Sequence, residues 1–99
     1  MTIQLNRNNK TLTVAIKGRL DTLTSPELEE QLEPALEDTE KIVFDLAELE
    51  YISSAGLRVL LAAVKEMDAQ GGELTLTKVR PEVMEVFEVT GFVDILTIE

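Results

Sequence analysis

Two adjacent serines, Ser53 and Ser54, stand where an apolar run ends and an apolar helical pattern begins, in Leu49-Glu50-Tyr51-Ile52-Ser53-Ser54-Ala55-Gly56-Leu57-Arg58-Val59-Leu60-Leu61. A helix start carries unpaired backbone N–H groups and a partial positive charge, so a hydroxyl placed there can acquire a negative group without straining the fold. Three roles are open to such a serine: helix cap, nucleophile, or phosphoryl acceptor. Capping alone stabilises a helix by about 1 kcal/mol and needs no function. Nucleophilic attack needs an activating base and, in the common elbow, the pattern G-x-S-x-G. Gly56 follows Ser54 at the right spacing, but Ile52 fills the first glycine position and the chain has no histidine. The residues therefore point away from an enzyme.

Other chemistry-bearing residues are sparse. Asp21, Asp45, Glu48 and Glu50 could in principle hold a magnesium ion, but no glycine-rich phosphate loop accompanies them, and scattered carboxylates read as a solvated surface. There is no cysteine, which removes disulfides and thiolate metal sites. No metal and no cofactor are expected. Nineteen acidic residues against nine basic ones give a formal charge of −10, which repels nucleic acid and anionic lipid and favours a partner with a basic face. The N-terminal residues lack a signal-peptide pattern, and no stretch is long enough to span a bilayer. The expectation is a cytoplasmic protein with no direct nucleic-acid contact and no membrane insertion.

The elements that must position the serines follow from periodicity. A single domain over residues 1–99 is expected, large enough to bury roughly 65% of its unfolded surface. Ile3 and Leu5, then Leu12, Val14 and Ile16, alternate with polar residues around Asn8-Asn9, which predicts a β-hairpin. Gly18-Arg19-Leu20-Asp21-Thr22 is read as leaving the sheet. Ser25-Pro26-Glu27 reads as an N-cap, a first-turn proline and an acidic first turn, ahead of Leu28, Leu32, Ala35 and Leu36 on one helical face. Pro34 is expected to kink that helix rather than end it. Ile42 to Leu46 reads as an inner strand, Ser54 to Gln70 as a second helix stopped by Gly71-Gly72, and Leu74, Leu76 and Val79 as a further strand. Pro81 opens a last helix, Gly91 closes it, and Ile95 to Ile98 offers a final edge strand. The order β-β-α-β-α-β-α-β predicts an α/β fold, a mixed sheet with helices packed on it.

Several segments together carry a family resemblance. Ile52-Ser53-Ser54-Ala55-Gly56-Leu57 resembles the signature of STAS domains of the anti-sigma factor antagonist family, which commonly reads D-S-[ST]-G-[LV] or S-S-A-G-L. Gly18-Arg19-Leu20-Asp21 with Ser25-Pro26-Glu27-Leu28 is similar to the family's passage from second strand to first helix. Leu74-Thr75-Leu76 is similar to its next strand, and Val86-Phe87 with Thr90-Gly91-Phe92 to its last helix and turn. The likeness covers essentially all 99 residues. It implies a single STAS domain that binds an anti-sigma factor serine kinase when unphosphorylated. Phosphorylation of the second motif serine, here Ser54, would release it, and a serine phosphatase would reverse the step. Partner switching of this kind regulates sigma factor availability and so transcription. A phosphorylation-independent STAS subunit of a transporter or signalling complex is the alternative.

Where the family often has aspartate before the acceptor, this chain has Ser53, which leaves Ser53 as an alternative acceptor, and the next hydroxyl position is Ala55. The expected partner-binding residues are Asp21, Ser53, Ala55, Gly56, Arg58, Val59 and Ala62. Asp21 would lie beside the serine, as a kinase contact or as an ordinary turn aspartate. Val59, Ala62, Ala63 and Glu66 are read as the outward face of the second helix, suited either to a partner helix or to lateral packing. Met84, Val89 and Phe92 raise the same question.

Overall fold

In the computed structural model, which describes residues 1–99, strand β1 (Thr2–Asn8) turns through Asn9, at φ +58°, into strand β2 (Thr11–Leu20). Asparagine tolerates that left-handed conformation better than most side chains. The two strands pair antiparallel, and strands β3 (Lys41–Ile52) and β4 (Glu73–Thr77) add parallel in the order β1-β2-β3-β4. Helix α1 (Ser25–Ala35) joins β2 to β3, and helix α2 (Ser54–Ala69) joins β3 to β4. Right-handed crossovers between parallel neighbours put both helices on one face of the sheet. There they cover Leu12, Val14 and Ile16 of β2, Ile42, Phe44 and Leu46 of β3, and Leu74 and Leu76 of β4. Helix α3 (Pro81–Thr90) packs on β3 and contributes the fully buried Val83 and Phe87 to the same core. The mixed sheet and the element order through α3 are those the hydrophobic pattern predicts.

Several boundaries differ from the sequence reading. Strand β2 does not leave the sheet at Gly18 but pairs on to Leu20, and β3 runs past Leu46 to Ile52. Between Ala15 and Lys17, and again between Gly18 and Arg19, β3 carries one more residue than β2. These two bulges change the spacing of buried residues on β3 from Ile42, Phe44 and Leu46 to Leu49 and Ile52, so the period of two vanishes midway along a continuous strand.

Helix α1 begins one residue earlier than expected, with Thr24 at the N-cap and Ser25 buried as the first helical residue. Pro34 does not produce a mid-helix kink, because the helix ends at Ala35. The Ala35 carbonyl is taken from outside the helix by the Arg7 guanidinium at 2.6 Å and the Thr39 hydroxyl at 2.7 Å, which closes that terminus. Gly71, at φ +75°, supplies the left-handed residue after α2. Val79 falls beyond β4, past Lys78 at φ +56°. Residues 95–98 form no edge strand: a short helical turn occupies Phe92–Asp94, and one parallel bridge joins Ile98 to Leu76.

Phe44 is fully buried at the centre of the inner strand, beneath the helices. Phe44→Ala should lower the unfolding free energy by about 3–5 kcal/mol, read by urea denaturation, a large share of the roughly 5–15 kcal/mol available to a domain of this size.

Candidate functional site

The carboxyl ends of β2 and β3 lie side by side, with Leu20 paired to Ile52. One residue on, the Ser53 N–H donates to the Leu20 carbonyl at 2.9 Å, and the Ser53 carbonyl accepts the Leu57 N–H at 2.9 Å to start α2. Gly56 is buried directly behind this junction. A Cβ there would stand 2.8 Å from side-chain atoms of both Ile52 and Leu20 and 2.9 Å from the Leu20 carbonyl oxygen, so only glycine lets the first turn of α2 approach β2 so closely. Gly56 thus acts from beneath the surface.

The two serines are placed differently by this turn. Ser53 is the N-cap with extended backbone, φ −100° and ψ 177°, but its side chain makes no capping bond, and its Oγ is buried without a partner. Ser54, the first helical residue, is exposed. The capping role is therefore not what either hydroxyl performs.

Asp21 opens the loop from β2 to α1, one residue beyond the Leu20–Ser53 hydrogen bond. Its Oδ1 accepts the Leu23 N–H at 3.0 Å and the Thr24 N–H at 3.1 Å, the geometry of an Asx-turn that also prepares the start of α1. The Thr24 hydroxyl accepts the Asp21 N–H at 2.9 Å and donates to the Arg19 carbonyl at 2.7 Å. The Thr24 amide holds the Asp21 carboxyl below its ordinary 3.8; partial desolvation opposes this, and the Leu23 amide adds to it. Asp21 is thus a turn aspartate beside the serine.

Arg19 pairs in register with Tyr51, and its guanidinium stacks 4.1 Å from the ring centroid while its Nε lies 3.8 Å from Asp21 Oδ2. Leu23, in the same loop, is 89% exposed, a bare apolar tip next to the serine junction. The sequence reading assigned a role to none of Arg19, Tyr51 and Leu23. The Arg19–Tyr51 pair emerges only once the two bulges set the register, and a leucine among turn residues carries no periodic signal.

The expectation that Val59 faces outward is overturned. Val59 is 6% exposed and Ala63 3%, and with Leu32 and Leu36 they line the seam between α1 and α2, so lateral helix packing claims them. Ala55 is half-buried, and Arg58 and Ala62 remain exposed. Near α3, Val89 is 80% exposed while Met84 and Phe92 pack partly against the core. Asp21, Asp45, Glu48 and Glu50 form no metal-holding group: Asp45 accepts the Ala47 N–H and lies 3.8 Å from Lys78. No helix is long and apolar enough to cross a membrane.

The sequence and the fold that place this junction are both shared with known proteins. The family model for the STAS domain matches residues 2–99. This chain belongs to the STAS domain family. Among relatives of this STAS protein, BtrV of Bordetella bronchiseptica, assigned as an anti-sigma factor antagonist, is 35% identical over 99% of this chain and 85% of its own length. The anti-sigma-B factor antagonist of Bacillus subtilis is 30% identical over 97% of this chain and 88% of its own. The STAS domain therefore groups with the anti-sigma factor antagonists. Its fold is similar to that of SpoIIAA from Bacillus, an anti-sigma factor antagonist solved in two states. The unphosphorylated form has a TM-score of 0.86 at 21% identity, covering 99% of this chain and 88% of that one. The phosphorylated form has a TM-score of 0.79 at 20% identity, covering 99% and 91%.

Two predictions arise from this geometry. Ser53→Ala should leave stability unchanged within about 0.5 kcal/mol, or raise it, because the buried hydroxyl has no partner to lose; a capping serine would cost about 1 kcal/mol. Asp21 has a depressed carboxyl pKa, so its ionised form contributes stability that is present above the unfolded-state value near 4 and lost as pH falls through the lower folded value. The melting-temperature advantage of wild type over Asp21→Asn should hold steady above about pH 5 and shrink on acidification below about pH 4.

Proposed function

We propose that this protein binds an anti-sigma factor serine kinase while Ser54 carries a free hydroxyl and is released once Ser54 is phosphorylated, so that its state regulates sigma factor availability. The observation that carries this reading is the contrast between exposed Ser54 and the buried Ser53 hydroxyl at one strand-to-helix junction. Of the two candidate acceptors, Ser54 is the accessible one. In the forward step the Ser54 Oγ attacks the γ-phosphorus of the kinase's ATP, the bond to the ADP oxygen breaks, and the hydroxyl proton passes to a base on the kinase. A serine phosphatase uses water to return the hydroxyl and release inorganic phosphate. The docking surface consists of Asp21, Leu23, Ala55, Arg58 and Ala62 around Ser54, while Gly56 and Val59 set its shape from below.

Electrostatics gives the direction of the switch. Phosphate adds about −1.5 to −2 charges at a positive helix terminus, which suits the folded domain by about 0.3–1 kcal/mol for an exposed charge. At a docked interface the same group must lose water and meet acceptors that faced the hydroxyl. An uncompensated buried charge costs roughly 3–5 kcal/mol, or at least about 100-fold in dissociation constant.

Incubation with its anti-sigma factor serine kinase and ATP should place one phosphate on Ser54, located by peptide mass mapping and absent in Ser54→Ala. Ser54→Asp should keep a native circular dichroism spectrum and bind that kinase at least about 100-fold more weakly. Phosphate found only on Ser53, or affinity indifferent to phosphorylation, would contradict the mechanism; the second result would favour a phosphorylation-independent interaction subunit.

A further inference from the structure

Arg58 sits four residues after Ser54 on α2, and both are exposed, so they share one helix face a single turn apart. Helical side chains lean toward the N-terminus, which directs the Arg58 stem back over the turn that Ser54 begins. The other cations near this end of the sheet are engaged. Arg19 lies 3.8 Å from Asp21 and over the Tyr51 ring, Lys78 lies 3.8 Å from Asp45, and Arg80 lies 3.9 Å from Glu82. Arg58 has no ion pair. Its neighbours three and four residues away on the helix are Ser54, Ala55, Leu61 and Ala62, and the first turn of α2 holds no acidic residue. Ser54 is the one neighbour in that set that can acquire negative charge.

We propose that Arg58 is the internal receiver of the Ser54 phosphate, closing a bidentate guanidinium–phosphate pair across the first turn of α2. This inference rests on the reading that Ser54 is the modified residue. An acidic group N-terminal to a basic one at four-residue spacing is the favourable orientation on a helix. The planar guanidinium fork also matches two phosphate oxygens at once. Phosphorylation then changes two features of the docking surface together: the hydroxyl becomes a dianion, and the exposed Arg58 cation turns inward to it. A partner carboxylate that used Arg58 loses its counter-charge in the same event. Arg58 is in this sense a positioning residue for the switch, acting on the phosphate rather than on its transfer.

The test uses full-length protein with phosphoserine incorporated at position 54 during translation, so that no kinase is needed. Phosphorus-31 NMR titration should give a second phosphate pKa about half a unit below that of the Arg58→Gln variant, which keeps only the shift due to the helix terminus. Arg58→Lys should give an intermediate shift, because a point charge lacks the fork. Arg19→Gln should change the titration little. Phosphorylation should also raise the melting temperature of wild type more than that of Arg58→Gln at low salt. A phosphate pKa indifferent to Arg58→Gln, or one that responds to Arg19→Gln instead, would overturn the proposal. A kinase that leaves Ser54 unmodified would strike at the proposed function and leave this pairing intact, whereas a titration blind to Arg58 does the reverse.

Discussion

The placement of Ser54 depends on a close approach between backbone and side chain at Gly56. Without a Cβ, the first turn of α2 settles against Leu20 and Ile52, and the Ser53 N–H reaches the Leu20 carbonyl at 2.9 Å. Everything that gathers around the serine follows from this contact. It ties the end of β2 to the start of α2, fixes where the loop carrying Asp21 and Leu23 begins, and turns the Ser53 hydroxyl inward while Ser54 stays in solvent. A methyl group at this point would have to displace buried backbone and two core side chains. The accompanying cost of about 1–3 kcal/mol is typical of overpacking in a tight core.

Around that junction the electrostatics are arranged without deep burial. Three helices begin after the carboxyl ends of β2, β3 and β4, and each start contributes partial positive charge to the same end of the sheet. Asp21 spends its carboxylate on the Leu23 and Thr24 amides, so it stabilises its own loop rather than standing free. Arg19 is held by Tyr51 and Asp21. In a chain of net charge −10, an added phosphate here meets a helix terminus and the unpaired guanidinium of Arg58, while the Asp21 carboxylate is held by the amides of its own loop. Such a modification can act on association without acting on folding.

Much of this was legible in the sequence. The alternation in β1 and β2, the apolar run Ile42 to Leu46 and the helical face from Leu57 to Met67 were enough to give the sheet-and-helix order and to put Ser54 at a helix start. The rest was hidden by interactions that periodicity does not encode. Two bulges broke the spacing on β3 at Leu49 and Ile52, and they also concealed the register that brings Arg19 over Tyr51. Val59 and Ala63 read as outward because α2 was assumed to bury one face. In the fold it buries two, one on the sheet and one along α1. The end of α1 was set by Thr39 just past it and by Arg7, which is distant in sequence from Pro34 and invisible to a local argument.

The central claim is that phosphate on Ser54 is a local event on a frame that does not move. Amide chemical shifts of the unmodified and singly phosphorylated protein test it most directly, compared residue by residue in one pair of nitrogen–proton spectra. Changes should be confined to residues 19–24, at the end of β2 and in its loop to α1, and to residues 51–59 across the serine junction, with the signals of β1, β4 and the end of α2 unmoved. Shifts spread across the sheet and into the far end of α2 would show that phosphorylation rearranges the fold, and would contradict it.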